Sequence, residues 1–291
     1  MKGRRLILLL LICRISSICL GRVYDQEPTV KEIFQHPINQ FIINEKLTSE
    51  DANSLIFSEK FDQIITKLER VRSHKTSDAL FLRTIFYRVH KNSLVDYDKM
   101  ATMDETLKTG QFGCLTGTAL YALILEHFGF NYDIIELTNH VYIQVVVNDR
   151  LMVMESTLPD EGLMKLNQEL TAKTELDALD PRNIGTLITV GDGSAEEWNL
   201  VNGYNKITLT ELSGLQYFNE SVRLYTDKEY VKAMEMINEA YARYPSNRNE
   251  KLMQLVINKI LKYDLIKEEV KNKYLTQYVK LVKRNKLSQT K

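Results

Sequence analysis

Between Gly110 and Pro159 the hydrophobic period of the chain changes twice, and that change restricts it to folds in which a helix packs on a sheet. Leu115 to Phe128 is an apolar helical run, with Leu120, Leu123, Ile124 and Phe128 at core-facing positions and Gly129 as its C-terminal stop. Tyr132 to Leu137 reads as a strand. Val141, Ile143, Val145 and Val147 then alternate with His140, Tyr142, Gln144 and Val146, so the segment has period two. Asn148-Asp149 supplies turn residues, and the chain returns through Glu155. The stretch thus reads as a helix followed by a strand and a hairpin.

Three residues in this stretch carry chemistry. Cys114 opens the helix, where unpaired backbone N–H groups and the helix dipole favour a thiolate over a thiol of ordinary pKa ~8.5. With a two-residue turn at Asn148-Asp149, His140 falls opposite Thr157 and Glu155 is its diagonal neighbour on the same face. Any turn of even length keeps that pairing, and one of odd length breaks it. A nucleophile, a base and an orienting acid are the parts of a cysteine acyl-transfer site. Taken singly, each residue also has a plain reading: a packed thiol, a satisfied strand-end histidine and a solvated glutamate.

Cysteine usage sharpens the choice. The three cysteines are Cys13, Cys19 and Cys114, and Met1 to Gly21 has the layout of an export signal. Lys2, Arg4 and Arg5 precede an apolar run from Leu6 to Cys13, which is too short to span a bilayer, and small residues follow. A buried N-terminal helix, or a lipid-anchored Cys19, are the other readings of this segment. Removal of the leader leaves Cys114 as the sole thiol, without a disulfide partner, in a compartment that favours oxidation.

Basic and acidic residues balance at 38 each, so the sequence gives no reason to expect nucleic acid as a partner. His36, His74, His90 and His127 are scattered without metal-ligand spacing, and no phosphate-binding glycine motif is present. No metal or cofactor is expected. The sequon Asn219-Glu-Ser221 falls on a predicted helix and reads as chance. Ser246 to Lys291 holds 12 basic and 4 acidic residues; this is read as a solvated face, with contact to an anionic membrane or acidic partner as the alternative.

Elsewhere, helices are expected from about Thr48 to Ser73 and from Ser77 to near Asn92, the latter with Leu80, Phe81, Ile85, Phe86 and Val89 on its apolar face. Thr102 to Lys108 reads as a short polar helix or turn, Leu163 to Ala178 as helical, and Pro181 to Tyr204 as loop with a strand-like piece at Thr186 to Val190. Thr208 and Glu211 form a capping box, and the remainder is helical. Tyr217, Leu224, Ala233, Ile237 and Ala240 before Pro245 fit the packing positions of one tetratricopeptide-like helix pair, with helices at Lys251–Leu261 and Ile266–Val282 to stack on it.

Gln111-Phe-Gly-Cys114-Leu-Thr-Gly-Thr-Ala, Asn139-His140-Val-Tyr and Met154-Glu155-Ser-Thr together resemble the transglutaminase-like branch of the papain-type cysteine fold. The likeness covers roughly Asp96 to Gly162 and is greatest to bacterial members in which a tetratricopeptide-like segment follows the core. The signal peptide is read at 1–21 and an all-α helical-hairpin segment at 206–291. The resemblance implies an α+β core, a transglutaminase-like domain at 22–205 with the cysteine on a central helix against an antiparallel sheet. It also implies Cys114 as nucleophile, His140 as general base and Glu155 as orienting acid, with Gln111 and the Cys114 backbone N–H as candidate oxyanion donors. The expected protein is an exported cysteine hydrolase or acyltransferase acting on a protein or peptide. Glutamate stands where the family usually has aspartate, and Leu115 stands where tryptophan commonly follows the nucleophile. Those differences support a second reading, an inactive scaffold in the cell envelope whose C-terminal helices bind a protein partner.

Overall fold

A computed structural model describes residues 36–43, 52–74, 76–165 and 205–289. The leader with Cys19, the expected helix start at Thr48, the strand-like piece at Thr186 to Val190 and most of Leu163 to Ala178 lie outside the described residues. Pro37–Lys291 forms one compact unit. The architecture is mixed α+β, with a five-stranded antiparallel sheet and eight α-helices among the described residues.

A short 3-10 turn, Pro37–Phe41, precedes α1 (Ala52–Arg72) and α2 (Asp78–Ser93). Phe61, Ile65 and Leu68 of α1, and Phe81, Ile85, Phe86 and Val89 of α2, are buried at helical spacing. Leu80 departs from the expected stripe: it is 57% exposed, one position away from the core-facing row. Next come β1 (Asp96–Tyr97), α3 (Met103–Thr109) and β2 (Gln111–Phe112), with β1 and β2 in a parallel pair. Thr102 and Glu105 close a reciprocal capping box on α3, and Gly110 ends it in the left-handed conformation at φ 83°.

The centre of the molecule is α4 (Cys114–His127). Every residue from Leu115 to Leu125 is buried, so the helix is enclosed on all sides rather than amphipathic. The Tyr121 ring stacks on Phe86 at 5.4 Å, and its hydroxyl donates to the Phe86 carbonyl at 2.8 Å. Its polar end is therefore satisfied inside the core. Gly129, at φ 71°, carries the chain past the helix end.

The sheet runs in the order β6–β5–β4–β3–β7, from β3 (Asn131–Glu136), β4 (Val141–Val147), β5 (Arg150–Met154), β6 (Leu163–Lys165) and β7 (Asn205–Ile207). Asn148 and Asp149 both adopt positive φ, 51° and 59°, and Val147 pairs with Arg150. This is the two-residue type I′ hairpin expected from the sequence. Val141, Ile143, Val145 and Val147 join the core that contains α4, while Tyr142 packs with Ile135 and Val153 on the opposite face. Leu163–Lys165 was expected to begin a helix and instead pairs with Met152–Met154 as an edge strand. Tertiary pairing with β5 overrides the local helical pattern there.

Four helices follow: α5 (Leu209–Thr226), α6 (Tyr230–Arg243), α7 (Asn247–Lys262) and α8 (Glu268–Gln289). Thr208 and Glu211 form the capping box of α5. Tyr217, Leu224, Ala233, Ile237 and Ala240 are all buried in one cluster with Val256, Ile257 and Ile260 of α7. Ser221, the last residue of the sequon, is fully buried and donates to the Ala233 carbonyl at 2.8 Å. The helical segment is also joined to the core that holds α4: Leu212 and Leu215 belong to that core, and Gln216 Nε2 donates to the Phe41 carbonyl at 2.7 Å.

Candidate active site

Cys114 lies at the first position of α4, half-buried and not in a disulfide. The amides of the first helical turn have no acceptor one turn back and face the same end of the helix. Gly113 precedes it in extended backbone and donates its N–H to Thr116 Oγ1 at 3.1 Å. A Cβ at Gly113 would sit 2.9 Å from the carbonyl oxygens of both Asp98 and Lys99, so the approach to the cysteine is closely packed. One turn into the helix, Thr118 Oγ1 donates to the Val141 carbonyl at 3.1 Å. That bond fixes the cysteine end of α4 beside the start of β4.

His140 and Glu155 occupy the residues just outside β4 and β5. Nε2 of His140 lies 2.5 Å from Glu155 Oε2, and both side chains are buried, at 8% and 1% exposure. Oε1 of Glu155 accepts from the Thr157 amide at 2.8 Å and the Thr157 hydroxyl at 2.7 Å. The carboxylate is thus held by three donors, a condition for keeping it inside the protein. His140 also hydrogen-bonds Cys114, and with Nε2 engaged by Glu155 the nitrogen left for the thiol is Nδ1. Burial alone would depress the imidazole pKa. The hydrogen bonds to Cys114 and Glu155 and their negative charge outweigh it and raise His140 from 6.5 to about 10.

The route by which the three residues meet differs from strict alternation. On β4 the Val141 face looks toward α4, so a regular strand would turn His140 away from Cys114. Both strands have ended at this point. The Leu137 amide donates to the His140 carbonyl at 2.8 Å and the Glu155 amide to the Gly162 carbonyl at 2.7 Å, each one residue beyond the last β3–β4 or β5–β6 pair and in the same register. The even register holds the pair together, and the Thr118 bond to the Val141 carbonyl sets the start of β4 beside the cysteine end of α4.

Small residues bring the Glu155 segment against α4. A Cβ on Gly117 would lie 2.7 Å from both Cβ and Oγ of Ser156. Ser156 is fully buried, and its carbonyl accepts from His90 Nε2 at 3.0 Å. Burial holds His90 below its ordinary pKa, against the opposing effects of the Ser156 carbonyl and Asp160. Tyr97 borders the site: its ring meets Phe112 edge-on at 5.8 Å. Partial burial, followed by negative charge on Cys114 and Glu155, pushes its hydroxyl up to about 12. Gln111 is half-buried in β2, its carbonyl accepting from Thr106 Oγ1 at 2.7 Å. Phe112, its neighbour, faces Gly117 and His90.

His90, Tyr97, Ser156 and Gly162 were not singled out by sequence reasoning. None belongs to a spacing pattern; each is recruited by a turn or by contact between distant segments. Among the described residues no group of three or more His, Cys, Asp or Glu is placed to hold a metal ion, and no helix is long and apolar enough to cross a membrane. No protein-family model, curated protein or solved structure matches the chain.

Proposed function

We propose that the protein is an exported, cysteine-dependent acyl-transfer enzyme, in its simplest form an amide or peptide hydrolase, built on a papain-type, transglutaminase-like core. The observation that carries this reading is His140, bonded through Nε2 to the buried Glu155 carboxylate and on its other side to Cys114. The leader-like first 21 residues support export. The cysteine at the start of an enclosed helix packed on an antiparallel sheet supports the core assignment.

In this reading the Cys114 thiolate attacks the substrate carbonyl while His140 carries the proton. The oxyanion forms beside the Cys114 backbone N–H, with Gln111 as the second candidate donor. Collapse of the tetrahedral adduct breaks the C–N bond, and the His140 proton passes to the departing amine. A water then loses a proton to His140 and attacks the thioester, releasing the acid and restoring the thiolate–imidazolium pair. Glu155 keeps Nδ1 aimed at sulfur and balances the imidazolium charge.

A p-nitrophenyl acyl ester tests this directly. The expected result is a burst of nitrophenol, an acyl adduct mapped by mass spectrometry to Cys114, and a rate lower by ~10²–10⁴-fold in Glu155→Gln. No adduct, or one formed equally fast in Glu155→Gln and His140→Ala, would leave the non-catalytic scaffold reading in its place.

A further inference from the structure

A cleft of about 800 Å³ opens between α1, the C-terminal half of α2 and the segment around α3. It is lined by Lys60, Lys67, Arg70, His74, Arg88 and Lys108, and none of its lining residues is acidic. In a chain whose charges sum to zero, this is a local segregation of charge rather than a reflection of composition. The helical period explains it. Lys60, Lys67 and Arg70 fall on one side of α1, with His74 in the turn that follows, while Asp62 and Glu69 fall on the other, where Glu69 Oε1 meets His127 at 3.1 Å.

Three of these side chains are already directed by the protein. Lys60 Nζ donates to the Leu107 carbonyl at 3.1 Å, Lys108 lies 3.6 Å from Asp104, and His74 Nδ1 is 2.6 Å from the Arg70 carbonyl. Among the described residues Lys67, Arg70 and Arg88 have no carboxylate partner. The floor is apolar, with Leu68 and Val89 both buried. The helical rise spreads the cationic row from Lys60 to Arg70 over about 15 Å, further than one phosphate reaches. The volume falls within the ~300–1,000 Å³ range of small-molecule sites.

We infer that this cleft binds a small ligand with more than one phosphate group, its phosphates bridged by Arg70 and Arg88 across the two helices and its less polar part on the Leu68–Val89 floor. Arginine suits the task because its planar fork matches phosphate oxygens in pairs. The inference is independent of the Cys114 site.

Calorimetric titration of the full chain with tripolyphosphate, and separately with orthophosphate, tests it. Tripolyphosphate is expected to bind saturably at one site, and orthophosphate much more weakly. Arg70→Glu and Arg88→Glu, each checked for retained circular dichroism, should weaken tripolyphosphate binding by about tenfold or more apiece. Lys280→Glu, the same charge change on α8, should alter it by less than about twofold. Equal weakening by Lys280→Glu would mean general attraction and would overturn the site. So would the absence of saturable binding, or binding confined to anionic phosphatidylglycerol vesicles with none to soluble tripolyphosphate.

Discussion

Gly162 shows how closely the Glu155 carboxylate is positioned. A Cβ there would lie 2.1 Å from the Glu155 carbonyl oxygen, 2.4 Å from that of Leu158 and 2.7 Å from Phe86 Cζ. The same turn is closed by the Glu155 amide on the Gly162 carbonyl and the Gly162 amide on the Leu158 carbonyl. A side chain has nowhere to go without moving the segment that holds Glu155. Gly162→Ala is therefore expected to cost about 1–3 kcal/mol in chemical denaturation, a typical overpacking penalty, and to slow acylation at Cys114 as well. A variant that loses stability but acylates at the wild-type rate would separate this turn from the site. Ser156, wedged at Gly117 and bonded by His90, belongs to the same arrangement.

At the scale of elements, the helical segment and the sheet meet through a buried ion pair. Glu136, at the end of β3 and 1% exposed, accepts from Arg248 Nη2 of α7 at 2.9 Å and from the Tyr244 hydroxyl at 2.5 Å. Removing one partner leaves a buried charge uncompensated. Arg248→Ala is expected to destabilise the protein by about 3–5 kcal/mol, and Glu136→Gln in that background to restore part of the loss. Equal stability of Arg248→Ala and wild type in denaturant titrations would refute a structural role for this contact. Much of this level was legible in the sequence, because caps and turns depend on a few local residues. Whereas the Thr102–Glu105 box was found only in the structure, Thr208–Glu211 and Asn148-Asp149 each do what their side chains dictate. The same holds for Tyr217, Leu224, Ala233, Ile237 and Ala240, whose spacing gave the helix pair. Leu163–Lys165 was not legible, since its strand exists only by pairing with β5. The site was half legible. The even hairpin register joins His140 to Glu155, but the meeting of His140 with Cys114, and the approach of Tyr97 and His90, depend on contacts that no local pattern encodes.

For the molecule as a whole, the buried imidazole links stability to pH. His140 is raised from 6.5 to about 10, so the folded protein keeps a proton that the unfolded chain releases. Its contribution is complete below about pH 6.5 and is lost as pH rises toward about 10. The thiol of an ionised pair has already given up its proton in the folded protein. The stability difference between wild type and His140→Gln should therefore narrow in the upper part of that window, above the ~8.5 of an ordinary thiol, a comparison that cancels the lysines and tyrosines titrating alongside. A difference that stays constant or widens would contradict the assigned direction. The central claim, that Cys114 and His140 act as one ionised pair, is tested most directly by the pH dependence of Cys114 alkylation by iodoacetamide in wild type and His140→Ala. The account predicts rapid labelling well below the ~8.5 of an ordinary thiol, slowed in the variant. Labelling that rises only near the ordinary thiol pKa, and equally in both proteins, would contradict it.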